Sequence, residues 1–333
     1  MMHSSFKYFI MCLAALTTMA GCCLIDEDIS DCKGVYRIDY QIEEGLYARM
    51  DAEIAKELGG SEYTGLAESL RGYMGGIFSD MIHGMDLSFY EAQADSISSL
   101  QDVLKVEALK ASYTFSLPAG SYMHLAYANV GSSAVAVIND GEYCHKARLE
   151  QPRRDTVPSH KSGLFTCRLP LELLERETQE FSATLYMANC AVALVADTLG
   201  SHIKDLKMFG DDFADGFQVC DSTYTFSPVV VRSDVIPSGP GLMCLATVNF
   251  PSRDNVPTRD VSNAIWEVKV YAKCADGSIT ETVLGFIDPL PAGTLKIIKA
   301  KVMPDGSVVP EDSTVGVSVT LDWHTGYSGE IDL

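Results

Sequence analysis

Alternation of apolar and polar residues sets in just after Gly34. Tyr36, Ile38, Tyr40 and Ile42 fall on one side of an extended chain, with Arg37, Asp39 and Gln41 on the other. Period two is the mark of a strand with one covered face. Between residues 46 and 84 the period changes. Leu66, Leu70, Tyr73, Met74, Ile77 and Met81 recur at helical spacing, broken by Gly59-Gly60 and Gly75-Gly76. This predicts a partly helical insertion beside a sheet, its Met and Tyr stripe a packed face rather than a cofactor pocket.

From Met85 onward the chain reads as strands. Leu87 and Phe89, then Tyr113, Phe115 and Leu117, then Met123, Leu125 and Tyr127 alternate with smaller or polar residues. Asn139-Asp-Gly141, Asp215-Gly216, Asp276-Gly277 and Asp305-Gly306 suit hairpin turns. Leu117-Pro-Ala-Gly-Ser-Tyr122 recurs as Leu290-Pro-Ala-Gly-Thr-Leu295, so one type I corner is expected to serve two related halves. Between them the polar stretch 150–163, with Pro152 and Pro158, reads as an exposed connection. Ala183, Leu185, Met187, Val192 and Leu194 open the second half, and Val315, Val317, Val319 and Leu321 close it. Many short strands in two halves predict a mainly β protein: tandem β-sandwich domains over 34–178 and 179–333, the first carrying the helical insertion.

With 333 residues, 47% hydrophobic and 21% charged, the chain can bury a core in each half and is not a disordered polymer. It carries 25 Lys and Arg against 45 Asp and Glu, a formal charge of −20, and no basic run. Nucleic-acid binding by counterion release is thereby excluded. At the start, Lys7 precedes an apolar run of twelve residues, Phe9 to Ala20, against roughly 20 for a membrane-spanning helix. Residues 1–21 therefore read as a cleaved export signal.

The junction Ala20-Gly21-Cys22 resembles the lipobox of bacterial lipoproteins, with Met19 standing where Leu is usual. The resemblance implies cleavage between Gly21 and Cys22, a diacylglycerol on the Cys22 sulfur, and an acylated new amine, palmitate being a typical chain. Several acyl chains hold a protein on a membrane without any spanning helix. Residues 22–33 would then be an acidic tether in which Asp26, Glu27, Asp28 and Asp31 stay solvated and extended. A metal site is the weaker reading, because the spacing of Cys22, Cys23 and Cys32 lacks the paired ligands of a zinc turn. Acids placed shortly after the lipidated cysteine resemble the surface-display signal of Bacteroidales lipoproteins, which implies exposure on the outer face.

Eight cysteines follow the anchor. Cys23 with Cys32 and Cys144 with Cys167 are the local pairs to test as disulfides, while Cys190 and Cys244 lie in apolar runs and read as small core residues. No nucleophile elbow, zinc-protease, P-loop or dinucleotide pattern is present in the sequence. Cys144 and His145 are adjacent, so on a strand they point to opposite faces, which is poor geometry for a thiolate and its base. Asp211, Asp212 and Asp215 faintly resemble a calcium loop, but Phe213 occupies a ligand position and Ser222 stands where the bidentate acid belongs. His124 reads as a solvent-facing strand residue. No enzyme activity, cofactor or metal is expected. Trp266 and Trp323, the two tryptophans, read as core rather than as sugar platforms. The alternative they bear on is a surface glycan-binding lipoprotein of a nutrient-uptake system.

Three stretches together resemble the fimbrial anchor and minor-subunit lipoproteins of the Bacteroidales, a fimbrillin-like family. They are Ile29-Ser-Asp-Cys32 after the lipid cysteine, Leu117 to Asn129 with its turn and aromatic strand, and Val315 to Trp323 with Glu330-Ile-Asp-Leu333. The resemblance implies two transthyretin-like β-sandwiches tethered through Cys22 to the outer membrane. It also implies joining to fimbrial shaft subunits by strand complementation, so that the protein anchors or initiates a fimbria and, through it, meets host or bacterial receptors. A tip adhesin of the same pilus differs only in position along the shaft.

Overall fold

The computed structural model describes residues 33–78, 82–91, 98–106, 110–133, 135–139, 145–152, 156–175, 177–197, 200–255 and 264–321. The export signal, the tether through Cys32 (with Cys22 and Cys23), Cys144 and Trp323 lie outside these residues. The first half runs β1 (Gly34–Ile42), α1 (Leu46–Glu57), α2 (Thr64–Phe78), β2 (Gly84–Glu91), β3 (Ser98–Lys105), β4 (Lys110–Leu117) and β5 (Gly120–Ala128). It continues through β6 (Val137–Asn139), β7 (Arg148–Glu150), β8 (Thr156–Pro158), β9 (Phe165–Leu173) and β10 (Gln179–Met187). Next come β11 (Cys190–Asp197), β12 (Ile203–Asp211), β13 (Gly216–Gln218), β14 (Thr223–Thr225), β15 (Val230–Arg232), β16 (Asp234–Ile236) and β17 (Leu242–Asn249). The chain closes with β18 (Trp266–Cys274), β19 (Ile279–Phe286), β20 (Leu295–Val302), β21 (Val308–Pro310) and β22 (Gly316–Thr320).

Tyr36, Ile38 and Tyr40 of β1 are buried, as their alternation requires. Seven strands form the first sheet, in the order β3-β2-β5-β9-β10-β1-β4. The sheet curls until its two ends face each other: the ring of Phe89 on β2 lies 4.4 Å from that of Phe115 on β4. Because β10 sits between β9 and β1, the chain leaves this sheet at Met187, not at the expected division of 178/179. The second half is a sandwich of two sheets, β16-β17-β11-β20-β21 over β22-β19-β18-β12-β15-β8. Val192, Leu194, Met208, Trp266, Leu284 and Ile298 pack between them. The molecule is thus mainly β, in tandem sandwiches, with a small helical insertion in the first.

The insertion has a definite use. Gly45, at φ 77°, turns the chain out of β1 into α1, a left-handed conformation that glycine adopts without a Cβ clash. The apolar stripes of both helices, Leu46, Met50 and Ile54 with Leu66, Leu70 and Met74, then join one cluster with Ala191, Ala193, Ala246, Val248 and Ile297. Those last residues are the outer face of the second half's five-stranded sheet. So the helices of the first half cover the sheet of the second, and the alanines let them approach closely. β11 is therefore buried on both faces, which explains its unbroken apolar run. Tyr73 on α2 adds a polar latch, its hydroxyl donating to Asp234 on β16 at 2.6 Å. Asp234 also pairs with Lys161. Burial and the Asp234 carboxylate push the Tyr73 phenol well above its ordinary range.

Among its described residues, the polar connection over 150–163 is not wholly the exposed link its composition suggests. β8 adds in parallel to β15 at the edge of the second sandwich, and Val157, Ser159 and His160 are buried. The Val248 N–H donates to the Ser159 hydroxyl and the His160 N–H donates to the Val248 carbonyl, both at 2.8 Å. Ser159 and the His160 backbone make these bonds inside the protein, so their polarity carries no information about exposure. A small sheet of four short strands, β14-β13-β7-β6, draws again on both halves and covers a third core around Tyr127, Leu149, Phe217 and Phe250.

The turn signals at Asp276-Gly277 and Asp305-Gly306 close the β18–β19 and β20–β21 hairpins, with Gly277 and Gly306 in the left-handed region. Asp215-Gly216 instead opens β13. Both Leu-Pro-Ala-Gly corners lead into strands, β5 and β20.

Candidate functional site

Of the residues singled out from sequence, Cys22, Cys23, Cys32 and Cys144 lie outside the described residues. Cys167 sits in β9 opposite Ala126, buried, its thiol pushed up to about 12 by desolvation. Cys190 and Cys244 are fully buried core residues. Asp212 holds a left-handed turn at φ 63°, and Asp211 is engaged by Lys269. Trp266 is core, stacked on Phe286 with ring centroids 3.9 Å apart. Its indole N–H donates to the Asp288 carbonyl.

His124 departs from expectation. It is buried, not solvent-facing, and stacks on Phe89 at 4.4 Å. Its Nδ1 lies 3.0 Å from the Ser88 carbonyl, which can only accept, so Nδ1 carries the proton. Nε2 is then the acceptor for the Tyr40 hydroxyl at 2.9 Å. Loss of water holds the imidazole neutral, lowering its pKa to about 4. His124 is thus a core residue that joins β1, β2 and β5.

The first described residues fix where the folded part begins. β1 starts at Gly34, opposite Leu117 of the first Leu-Pro-Ala-Gly corner, and ends toward the helices that cover the second half. β1 therefore begins at the pole of the first sandwich that lies away from the second.

At the other end of the chain, β22 is the last strand in its sheet among the described residues, and every residue in it is exposed. Its register decides which way its apolar residues point. Val317 pairs with Leu284 and Val319 with Thr282, and directly paired residues share a face. Leu284 and Thr282 are completely buried, so Val317 and Val319 lie on the core side of the sheet. They nevertheless remain 48% and 42% exposed, and Leu321 beyond them 56%. The reason lies in the facing sheet, whose final strand β21 has only three residues and stops over Thr282, the Val308 N–H donating to the Thr282 hydroxyl at 3.0 Å. One strand further out, nothing among the described residues covers β22.

Edges left open in native sheets are usually blunted by charge, proline or shortness. β8 has three residues and a proline, β16 has three and an engaged Asp234, and β3 carries Asp102 and Lys105. Gly316 to Leu321 has neither charge nor proline. The result is an uncharged strand edge beside an apolar strip, the features that strand addition by a partner uses. The sequence signal was there, in the alternation of Val315, Val317, Val319 and Leu321, but alternation marks a face without saying whether anything covers it. No helix among the described residues is long and apolar enough to cross a membrane.

No family model matches the chain, and no curated protein is similar to it in sequence. Solved structures are similar in shape. A candidate adhesin of Bacteroides ovatus aligns at 10% identity over 88% of this chain and 97% of that one, with a TM-score of 0.50. Another, of Bacteroides thetaiotaomicron, aligns at 12% identity over 86% and 97%, also at 0.50. The fimbrial anchor protein Mfa2 of Porphyromonas gingivalis aligns at 12% identity over 87% and 99%, with a TM-score of 0.46. At such identities the first two likenesses are ones of fold alone: the chain shares the fold of these two Bacteroides proteins.

Proposed function

We propose that this chain is a non-enzymatic lipoprotein of the outer-membrane surface, held through lipidated Cys22, that anchors or initiates a fimbria by strand complementation with fimbrial subunits at β22. The open β22 edge carries the proposal. A strand laid along Gly316 to Leu321 would complete the main-chain hydrogen bonds of the sheet and cover Val317, Val319 and Leu321, while alternate side chains give it register. Three further observations support the reading: the lipobox at Ala20-Gly21-Cys22, the motifs shared with fimbrial anchor lipoproteins, and a fold shared with candidate adhesins. The start of β1 supports it too, since a tether ahead of Gly34 would meet the far pole of the first sandwich and leave the second free to face outward.

The test uses the full lipidated chain in cells that assemble the fimbria. Val317→Lys with Val319→Lys places two charges on the strip, and co-purification of shaft subunits is expected to fall by about tenfold or more. Undiminished co-purification would overturn β22 as the docking edge. Cys22→Ala is expected to shed protein and intact fimbriae into the medium, and a variant that stays membrane-bound would sink the lipid anchor. Immunogold labelling at the base is expected; label at the tip would reassign the chain as a tip adhesin.

A further inference from the structure

Away from β22, a cleft of about 600 Å³ opens beside the small four-stranded sheet. Its walls come from three segments distant in sequence: the β14 hairpin with Tyr224 and Phe226, the loop after β17 with Arg253, Asp254 and Asn255, and the second Leu-Pro-Ala-Gly corner. That volume falls within the range of about 300–1,000 Å³ typical of small-ligand sites. The walls are fixed before any ligand arrives. The Tyr224 hydroxyl donates to the Ala188 carbonyl at 3.1 Å, and the Ser252 N–H and hydroxyl tie the loop to Leu290 at 3.1 and 2.8 Å. Such preorganisation lowers the entropy lost on binding.

The chemistry of the lining is specific. The Arg253 guanidinium lies over the Phe226 ring, 4.4 Å from its centroid, and so is held in one orientation. Its Nε is buried without a hydrogen-bond acceptor, an unusual state for a native donor and one that a ligand oxygen would relieve. Asp254 and Asn255 stand exposed at the rim. Aromatic rings, a fixed donor, a carboxylate acceptor and an amide together suit a rigid ligand with an apolar face and a ring of hydroxyls. Among the described lining residues, one cation beside one carboxylate leaves no net charge to favour an ionic ligand. A peptide added as a strand would find only the three residues of β14 to pair with.

We propose that this cleft binds a neutral pyranose unit of an oligosaccharide, with Arg253 donating to its oxygens, Asp254 and Asn255 meeting its hydroxyls, and the Tyr224 and Phe226 rings lying against its C–H face. Trp266, buried in the core of the second half, has no part in it. The site is independent of the strand-docking edge.

The detergent-solubilised full chain is probed on an array of neutral and carboxylate-bearing oligosaccharides, host and bacterial sets being printed separately to identify the source. Retention of neutral glycans is expected, with affinity falling about tenfold or more in Arg253→Ala. Asn255→Trp, a substitution at the exposed rim that leaves the core untouched, is expected to block binding without lowering Tm. No retained glycan, retention of acidic glycans alone, or neutral binding indifferent to both variants would each overturn the proposal. Fimbrial subunit capture is expected to be unchanged in both variants, which keeps this outcome separate from that of β22.

Discussion

β11 and β22 belong to the same sandwich and both read from sequence as apolar strands, yet their fates are opposite. β11 is buried on both faces, one by Trp266 and Leu284 across the sandwich and the other by the helices of the first half. β22 is exposed at every position. The difference lies entirely in what covers them. Helices inserted between β1 and β2 reach the second half and close over β11, while β21 stops too soon to close over β22. A strand's own residues set the side it offers; the length and placement of distant elements decide whether that side becomes core or contact surface.

Breaking the covered side has the largest expected effect. Leu194→Ala removes a fully buried side chain from β11 and is expected to cost about 2–5 kcal/mol, read as a lowered midpoint in urea unfolding. A change below about 1 kcal/mol would mean that β11 is not packed as described. Acid gives a second contrast. His124 is neutral in the fold with a pKa of about 4, below the unfolded value of about 6.5. The unfolded chain therefore takes up the proton first, so stability is intact above pH 6.5 and declines by about 3 kcal/mol as pH falls through 4. Unfolding free energies measured across that range should lose this slope in His124→Phe, whereas β22, with no titratable side chain, contributes none. Tyr73→Phe removes the latch between helix and sheet while sparing the apolar face, with an expected loss of about 1–2 kcal/mol. Least affected should be Val317→Thr with Val319→Thr. Both residues keep their β-branch and lie exposed, so Tm should shift by no more than about 0.5 kcal/mol corresponds to, even as subunit capture weakens. A large loss of Tm there would show that β22 is structural.

Much of this architecture was legible in the sequence because it is local. Period two placed the inward face of β1, and Asp-Gly pairs placed two hairpins where only glycine tolerates the backbone. The helical stripe from Leu66 to Ile77 was likewise visible. What was not legible depends on distant partners. His124 looked solvent-facing because its hydrogen-bond partners, Tyr40 and Ser88, lie 84 and 36 residues away. Residues 156–160 looked exposed because polarity was taken as a proxy for water, when β15 and β17 pair with them. The cleft around Arg253 gave no signal at all, for its three walls meet only in the folded chain. At β22 the alternation was visible, but not that no described residue covers it.

The place of β1 has a mechanical consequence. It is gripped on one side by β10, from Tyr36–Gln179 to Ile42–Leu185, and on the other by β4, from Gly34–Leu117 to Gln41–Lys110. A pull on the chain ahead of Gly34 acts along this strand, so sliding it free would break both ladders of hydrogen bonds together rather than one rung at a time. A pull at the C-terminal end could instead peel β22 from β19 pair by pair. Survival under tension is set by the rate of crossing the unfolding barrier rather than by equilibrium stability. Under tension β1 is therefore built to hold fast and β22 to yield.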